Sequence, residues 1–206
     1  MRILIDAMGG DNAPQAPVLG ALRAARELGV DVTLIGQREK IEPLLSGEAR
    51  ADIVDAREII TMEDDPSTAT RRKKDSSMSV ALKMLRSGEG DAVVSAGSTG
   101  ALLTGATLTA KRIPGIRRAA LAPVLPNGAR GVMLIDCGAN VECTPEYLLQ
   151  FAYMGSFYAD KIMGCPRPRV GLLSNGSEPT KGAPLQKQSF KLLQKASDAG
   201  RINFIG

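Results

Sequence analysis

The sequence predicts an α/β protein with a mostly parallel sheet, and two observations predict it. Four times a short apolar run ends in a small, glycine-containing loop that opens a predicted helix: residues 3–5 into 6–11, 92–94 into 95–100, 132–135 into 136–140, and 170–173 into 174–177. Between these units, apolar residues recur at helical spacing. Strand–loop–helix units place their loops at the carboxyl edge of one parallel sheet. Backbone N–H groups and helix N-termini converge there and attract anions.

Each element follows from its residues. Residues 2–5 form the first strand. Val18, Ala21, Leu22, Ala25 and Leu28 share one helical face, which predicts a helix over 16–28 stopped by Gly29. Residues 32–35 are the next strand, closed by Gly36, and a short helix follows around 39–45. Residues 52–55 and 58–60 are short runs without a decisive period. Residues 61–76 are polar, charged and carry Pro66, which predicts a loop or flap. Ser77 is the predicted cap of a helix lined by Met78, Ala81, Leu82 and Leu85 and ended by Gly88 and Gly90. A strand over 91–95 leads into a small-residue helix over 99–112, stopped near Pro114.

Residues 119–124 and 130–136 read as two strands. Pro126-Asn127-Gly128 between them suits the turn of an antiparallel hairpin. Pro145 favours a helix start, and that helix runs to about 163 with Leu148, Phe151, Ala152, Gly155, Ala159 and Ile162 inward. Its small residues predict close packing on another helix. A strand over 169–173, a helix over 185–199 and the start of a strand over 202–205 follow. A parallel strand followed at once by Gly206 lacks its covering helix. Residues 1–206 therefore read as a single α/β domain that is the N-terminal part of a longer one.

Composition narrows the chemistry. Apolar content of 44% and charged content of 23% are those of an ordinary globular chain of 206 residues. There is no histidine, which removes the commonest general base, the commonest metal ligand and every Ser-His-Asp or Cys-His arrangement. Cys137, Cys143 and Cys165 are too few and too irregular for a zinc site, and their bland reading is buried, reduced thiols in a cytoplasmic chain. Four Phe, three Tyr and no Trp, with a net charge of +4, leave no base-stacking platform for nucleic acid. No apolar run is long enough to span a membrane. The one dense basic tract, Arg71-Arg72-Lys73-Lys74, is either a solvated face or a patch for phosphate or an acidic partner.

No P-loop and no G-x-G-x-x-G fingerprint occurs. Taken singly, each loop reads as glycine packing at a strand–helix corner. Taken together they are more specific: residues 6–14 (Asp-Ala-Met-Gly-Gly-Asp-Asn-Ala-Pro), Lys74-Asp75-Ser76-Ser77-Met78, Ser95-Ala96-Gly97-Ser98-Thr99-Gly100-Ala101, Asp136-Cys137-Gly138-Ala139-Asn140, Phe151-Ala152-Tyr153-Met154-Gly155 and Lys181-Gly182. This set, in this order, resembles the phosphate acyltransferase family of bacterial phospholipid synthesis, the acyl-acyl-carrier-protein:phosphate transacylases (PlsX family). The resemblance implies that inorganic phosphate attacks a fatty acyl thioester on acyl carrier protein, giving acyl phosphate and free carrier. It implies a three-layer α/β/α sandwich similar to phosphotransacetylases and isocitrate-type dehydrogenases. It also implies a homodimer, peripheral membrane association, and neither cofactor nor metal.

The reaction suits a chain without histidine. The thioester is already activated and phosphate is already a nucleophile, so what is needed is positioning and donors for the developing oxyanion. By the resemblance, Lys181 neutralises phosphate or the oxyanion, against the bland reading of a solvated lysine. Asn140 donates from its amide, or else caps the next helix. Gly9, Gly10, Lys74, Ser76, Ser77, Gly97, Ser98, Thr99, Gly100 and Ser177 are the phosphate- and substrate-binding candidates, together with Asp11. Asp6 and Asp11 would repel phosphate and are read as organising the first loop through backbone hydrogen bonds. Ser98, Ser174 and Ser177 are serines where the family usually carries other residues.

Two rival readings differ in kind. A nicotinamide-dependent decarboxylating dehydrogenase of the same fold would need clustered aspartates for a metal, and Asp136 with Glu142 do not supply them. A catalytically incomplete fragment would only bind acyl carrier protein or a partner chain, and the basic tract would serve that equally well.

Overall fold

The computed structural model of the chain describes residues 1–45, 51–128, 131–176 and 181–206. They divide into two compact units, Met1–Lys111 and Arg112–Gly206.

In the first unit, strands β1 (Arg2–Asp6), β2 (Asp31–Gly36), β3 (Asp52–Asp55) and β4 (Ala92–Val94) form a four-stranded sheet in the order β3-β2-β1-β4. Every pairing in it is parallel. Helices cover both faces, as a parallel sheet requires. Alternation along β1 divides the core. Ile5 turns toward α1 (Gln15–Leu28) and packs with Val18, Ala21, Val32, Leu34 and Ile41. Leu4 turns the other way, packing with Ile35, Ala56 and Ala81 of α4 (Ser77–Ser87). A third cluster, Ile60, Ala69, Met78, Leu82 and Ala101, joins α4 to α5 (Thr99–Thr109).

The chain runs outward from β1 to β2 and β3, through α2 (Arg38–Ile41) and the 3₁₀ turn Glu42–Leu44. It then crosses back to place β4 on the other side of β1. The winding direction thus reverses between β1 and β4. In open α/β sheets the crevice outside the carboxyl ends at such a reversal is where ligands bind.

Three local expectations change. Leu28 is 73% exposed, because it ends α1 just before the left-handed Gly29, and Val30 beyond the reversal makes the core contact instead. Residues 61–76 are not an open flap. They contain the short helix α3 (Ala69–Arg72), held by the Asp65 carboxylate, which accepts from the Ser67 N–H and from the Ser67 and Thr68 hydroxyls. Ser76, not Ser77, caps α4: its hydroxyl accepts the Ser79 N–H at 3.3 Å while its own backbone is extended.

In the second unit, β5 (Val124–Leu125) pairs antiparallel with β6 (Val132–Met133), the hairpin that the Pro-Asn-Gly turn predicts. Its pairing continues as Leu134 N–H to the Pro123 carbonyl and Asp136 N–H to the Leu121 carbonyl. Pro123 has no N–H to return, which keeps the ladder short. Helix α6 (Pro145–Lys161) packs on α7 (Pro184–Asp198) through Ala152, Leu193 and Ala196. Strands β7 (Arg169–Val170) and β8 (Asn203–Phe204) pair parallel, and Phe204 meets Phe190 edge-on with ring centroids 5.2 Å apart. Ile162 lies just past the end of α6 and is 65% exposed rather than inward. The expected single sheet carrying all four loops is corrected. Among the described residues the ladders form one four-stranded and two two-stranded sheets, because β5–β8 are two residues each and pair only among themselves.

The core packing yields a paired prediction. A Cβ at Gly90 would lie 2.5–2.8 Å from the side-chain carbons of Leu4, which is fully buried, whereas one at Gly20 in α1 meets nothing within 4 Å. Gly90→Ala should lower unfolding free energy by about 1–3 kcal/mol in urea titrations. Gly20→Ala should be neutral or stabilising by up to about 1 kcal/mol.

Candidate functional site

The carboxyl edge of the first unit is built around Asp6, the last residue of β1 and only 2% exposed. Its two carboxylate oxygens accept from hydroxyls on different elements. Ser77, at the first turn of α4, donates to Oδ1 at 2.5 Å, and Ser95, just past β4, donates to Oδ2 at 2.6 Å. The Ser95 hydroxyl in turn accepts the Gly97 N–H at 3.1 Å. One carboxylate therefore holds two strands, a helix start and the loop after β4 in one arrangement. The expectation that Asp6 organises the first loop through backbone hydrogen bonds is corrected: its carboxylate binds hydroxyls at the start of α4 and just past β4, outside that loop, and Asp11 is exposed.

This convergence leaves no room at position 9. A Cβ on Gly9 would sit 2.6 Å from Asp6 Oδ2 and 2.9 Å from the Gly97 nitrogen. Gly10 adopts φ +102°, a left-handed conformation that disfavours a side chain, and it lies against Ala96. The loops after β1 and β4 are thus in contact, and Gly9, Gly10 and Gly97 belong to one place. Ser98 caps α5, its hydroxyl accepting the Ala101 N–H at 3.4 Å. Thr99 and Gly100 follow in the first helical turn, where backbone N–H groups have no intrahelical acceptor. Pro66 packs over Gly100, since a Cβ there would meet it at 2.9 Å.

Ser76 and Ser77 are buried, and their hydroxyls are engaged. Ser76 donates within a cluster containing the Lys73 carbonyl and the Ser79 hydroxyl, each at 2.8 Å, and Ser77 holds Asp6. What they add to the edge is the start of α4 rather than free hydroxyls. The basic tract divides by partner. Lys73 turns inward to the Ile59 carbonyl at 2.8 Å and the Asp64 carboxylate at 2.6 Å. The Arg71 guanidinium reaches the Ser67 carbonyl, and Arg72 and Lys74 are exposed. The Lys73 ammonium, followed by the Thr61 N–H, holds the Asp64 carboxyl below the ordinary aspartate range.

In the second unit, the loop after β6 is closed by its own side chains. Asp136, at φ +61°, accepts from Asn140 Nδ2 at 2.9 Å, and the same nitrogen donates to the Ala119 carbonyl at 2.9 Å. The Asn140 amide is therefore engaged by Asp136 of its own loop and by the Ala119 carbonyl of the segment before β5, and Asn140 is not a cap, since Thr144 occupies that position before α6. The Cys143 thiol donates to Asp136 Oδ2. Burial first, and that carboxylate second, push it above the ordinary cysteine range, so it stays protonated at neutral pH. Cys137 is exposed in the same loop, and Cys143 and Cys165 are half-buried, so the buried-thiol reading is corrected for Cys137. Lys181 is exposed at the turn before α7. Gly182 beside it has φ +91°, and a Cβ there would lie 2.8 Å from Ser174 Oγ, so the loop after β7 and the Lys181-Gly182 turn adjoin. Ser177 lies outside the described residues. Among the described residues no cluster of three or more Cys, Asp or Glu is disposed to hold a metal ion.

Ser95 is the site residue least visible in the sequence. Its only signal is its place directly after an apolar strand, the position that Asp6 occupies after β1.

The family model described as fatty acid synthesis protein matches residues 1–206. A phosphate acyltransferase of Desulfitobacterium hafniense is 49% identical over 209 residues, covering 100% of this chain and 61% of the relative. The phosphate acyltransferase of Desulforamulus reducens is 46% identical over 209 residues, covering 100% of this chain and 62% of the relative. The chain thus spans about three fifths of the length of these curated relatives. Among solved structures, the EutD phosphotransacetylase from Staphylococcus aureus shares the fold, with a TM-score of 0.69 at 16% identity over 100% of this chain and 67% of that one.

Two predictions come from this geometry. Asp6→Ala removes two hydrogen bonds to a charged acceptor and strands two buried hydroxyls. It should lower stability by roughly 3 kcal/mol or more in urea titrations, and Asp6→Asn by about half as much, since one amide oxygen still accepts. Asp64, whose folded value is depressed, contributes stability that is present above its unfolded value and is lost as pH falls through the folded one. Below about pH 4 the native chain should therefore lose stability more steeply than Lys73→Met, as acid titrations followed by circular dichroism would record.

Proposed function

This chain belongs to the fatty acid synthesis protein family, and from that membership we propose that it carries the acyl-transfer machinery of a phosphate acyltransferase. The reaction moves a fatty acyl group from acyl carrier protein to inorganic phosphate. A phosphate oxygen bonds to the thioester carbonyl carbon, the carbon–sulfur bond breaks, and the carrier leaves as a thiolate that takes up a proton. Acyl phosphate and free carrier are the products. The observation that carries this reading is the likeness to phosphate acyltransferases along the entire chain.

The geometry supports the reading unit by unit. In the first unit, Gly9, Gly10 and Gly97 bring backbone together at the winding reversal. The first turns of α4 and α5, led by Ser76 and Ser98, add unpaired N–H groups and positive dipole ends suited to a phosphate. Lys74 and Thr99 are exposed and polar, as a substrate-facing role needs. Asp11 is a loop residue whose charge opposes phosphate. Its contribution is to the shape of the entry rather than to the anion.

In the second unit, Lys181 supplies a mobile positive charge for phosphate or the oxyanion. Asn140 shapes the loop after β6, and its donor role passes to that loop's backbone. Ser177 stays among the candidates. No protein nucleophile and no histidine are needed, because held reactants and preorganised donors supply the rate.

The same proposal includes acylated acyl carrier protein and inorganic phosphate as substrates, a homodimer, a cytoplasmic location with peripheral membrane contact, no nucleic-acid partner and no cofactor. It also takes residues 1–206 as the N-terminal part of one longer α/β domain. Among the described residues no helix is long and apolar enough to cross a membrane.

The test is release of free carrier thiol from acyl carrier protein carrying a fatty acyl chain. Release should require inorganic phosphate, and kcat should fall roughly 10²–10³-fold in Lys181→Ala. Release without phosphate would mark a hydrolase. An unchanged kcat in the variant would remove Lys181 from the chemistry.

A further inference from the structure

The second unit contains a cavity of about 270 Å³ under α6, bounded by β6 on one side and β7 on the other. Met133 and Ile135 from the β6 segment, Phe151 from α6, Met163 just past α6 and Val170 from β7 give it apolar walls, and Asn127, Ser156 and Arg169 add polar groups to the lining. The chain direction orients it. Helix α6 begins after the loop that follows β6 and descends toward Met163, and β7 then climbs back to Gly171. Ile135 and Gly171 therefore mark one end of the cavity, and Met163 and Cys165 the other. At the first end the two loops begin, one containing Asn140 and the other adjoining Lys181-Gly182.

We propose that this cavity holds the hydrocarbon chain of the transferred acyl group, with its carbonyl end at the loops after β6 and β7. The proposal rests on the acyl-transfer reading. Three features fit a flexible chain. The cavity's lining extends from Ile135 and Gly171 to Met163 and Cys165. Its two methionines are unbranched and adapt to chains of different length. At the middle of the wall stands Gly155, whose absent side chain leaves a gap toward Ile135 and Met133, each 3.8 Å from where a Cβ would lie. An apolar cavity of about 150 Å³ takes a six-carbon ring, so this one suits roughly ten carbons. The cavity thus sets chain preference, and residue 155 is its gauge.

The experiment compares this chain with Gly155→Leu on acyl carrier protein carrying butyryl, octanoyl, decanoyl or myristoyl groups. For the native chain, kcat/KM should rise by about fourfold per methylene up to roughly ten carbons and then level off. In Gly155→Leu the decanoyl-to-butyryl ratio should drop at least about tenfold. An unchanged ratio in an active variant would overturn the cavity's role and leave acyl transfer standing.

If no acyl chain turns over, or the variant does not fold, alkylation of Cys165 in the native chain decides, followed by peptide mass spectrometry. Sodium decanoate should slow that alkylation while leaving Cys137 unaffected. An unchanged Cys165 rate would overturn the proposal, whereas protection without any turnover would retain the cavity and remove the acyl-transfer reading.

Discussion

The Asp6 carboxylate is the constraint on which the first unit's geometry depends. It sits at the end of the central strand, almost without solvent, and each oxygen is held by a hydroxyl from a different element. A buried carboxylate is tolerable only with such partners, and each charge-assisted bond contributes about 1.5–3 kcal/mol. Because Ser77 and Ser95 lie 71 and 89 residues away in sequence, the clasp ties the start of α4 and the end of β4 to β1. That junction is where the winding of the sheet reverses. The crevice expected of any such reversal is here drawn tight.

Tightness explains the glycines. With Asp6 Oδ2 on one side and the Gly97 nitrogen on the other, position 9 can carry no side chain. Two helices begin at this edge: Ser77 in the first turn of α4 is bound to Asp6, and Ser98 caps α5. The same economy appears across the loop over residues 61–76. There the Asp64–Lys73 pair and the Asp65 turn convert a charged, proline-bearing stretch into a packed segment.

In the second unit the side chains expected to act divide into those that build and those that face outward. Asn140 and Asp136 satisfy one another and close their loop, and Cys143 is held as a thiol by the same aspartate. Lys181 remains exposed, with Gly182 and Ser174 fixing the turn beside it. Beneath the loops of this unit lies the cavity under α6, walled by Met133, Ile135, Phe151 and Val170.

The sequence by itself determined the class of fold, the positions of most helices and strands though not of β3 or α3, the hairpin between β5 and β6, and the set of loops at strand ends. Those features come from local rules: apolar periodicity, glycine and proline punctuation, and helix caps act over a few residues. It also excluded histidine chemistry outright. Only the tertiary structure decided that Asp6 bonds to hydroxyls, that Ser76 and not Ser77 is the cap, that Leu28 and Ile162 face solvent, and that the Asn140 amide is held by Asp136 and the distant Ala119 carbonyl. Each of these depends on which distant group arrives within hydrogen-bond or packing distance, and nothing in the local pattern encodes that arrival. The strand order β3-β2-β1-β4, which places two of the loops side by side, is likewise a consequence of long-range pairing.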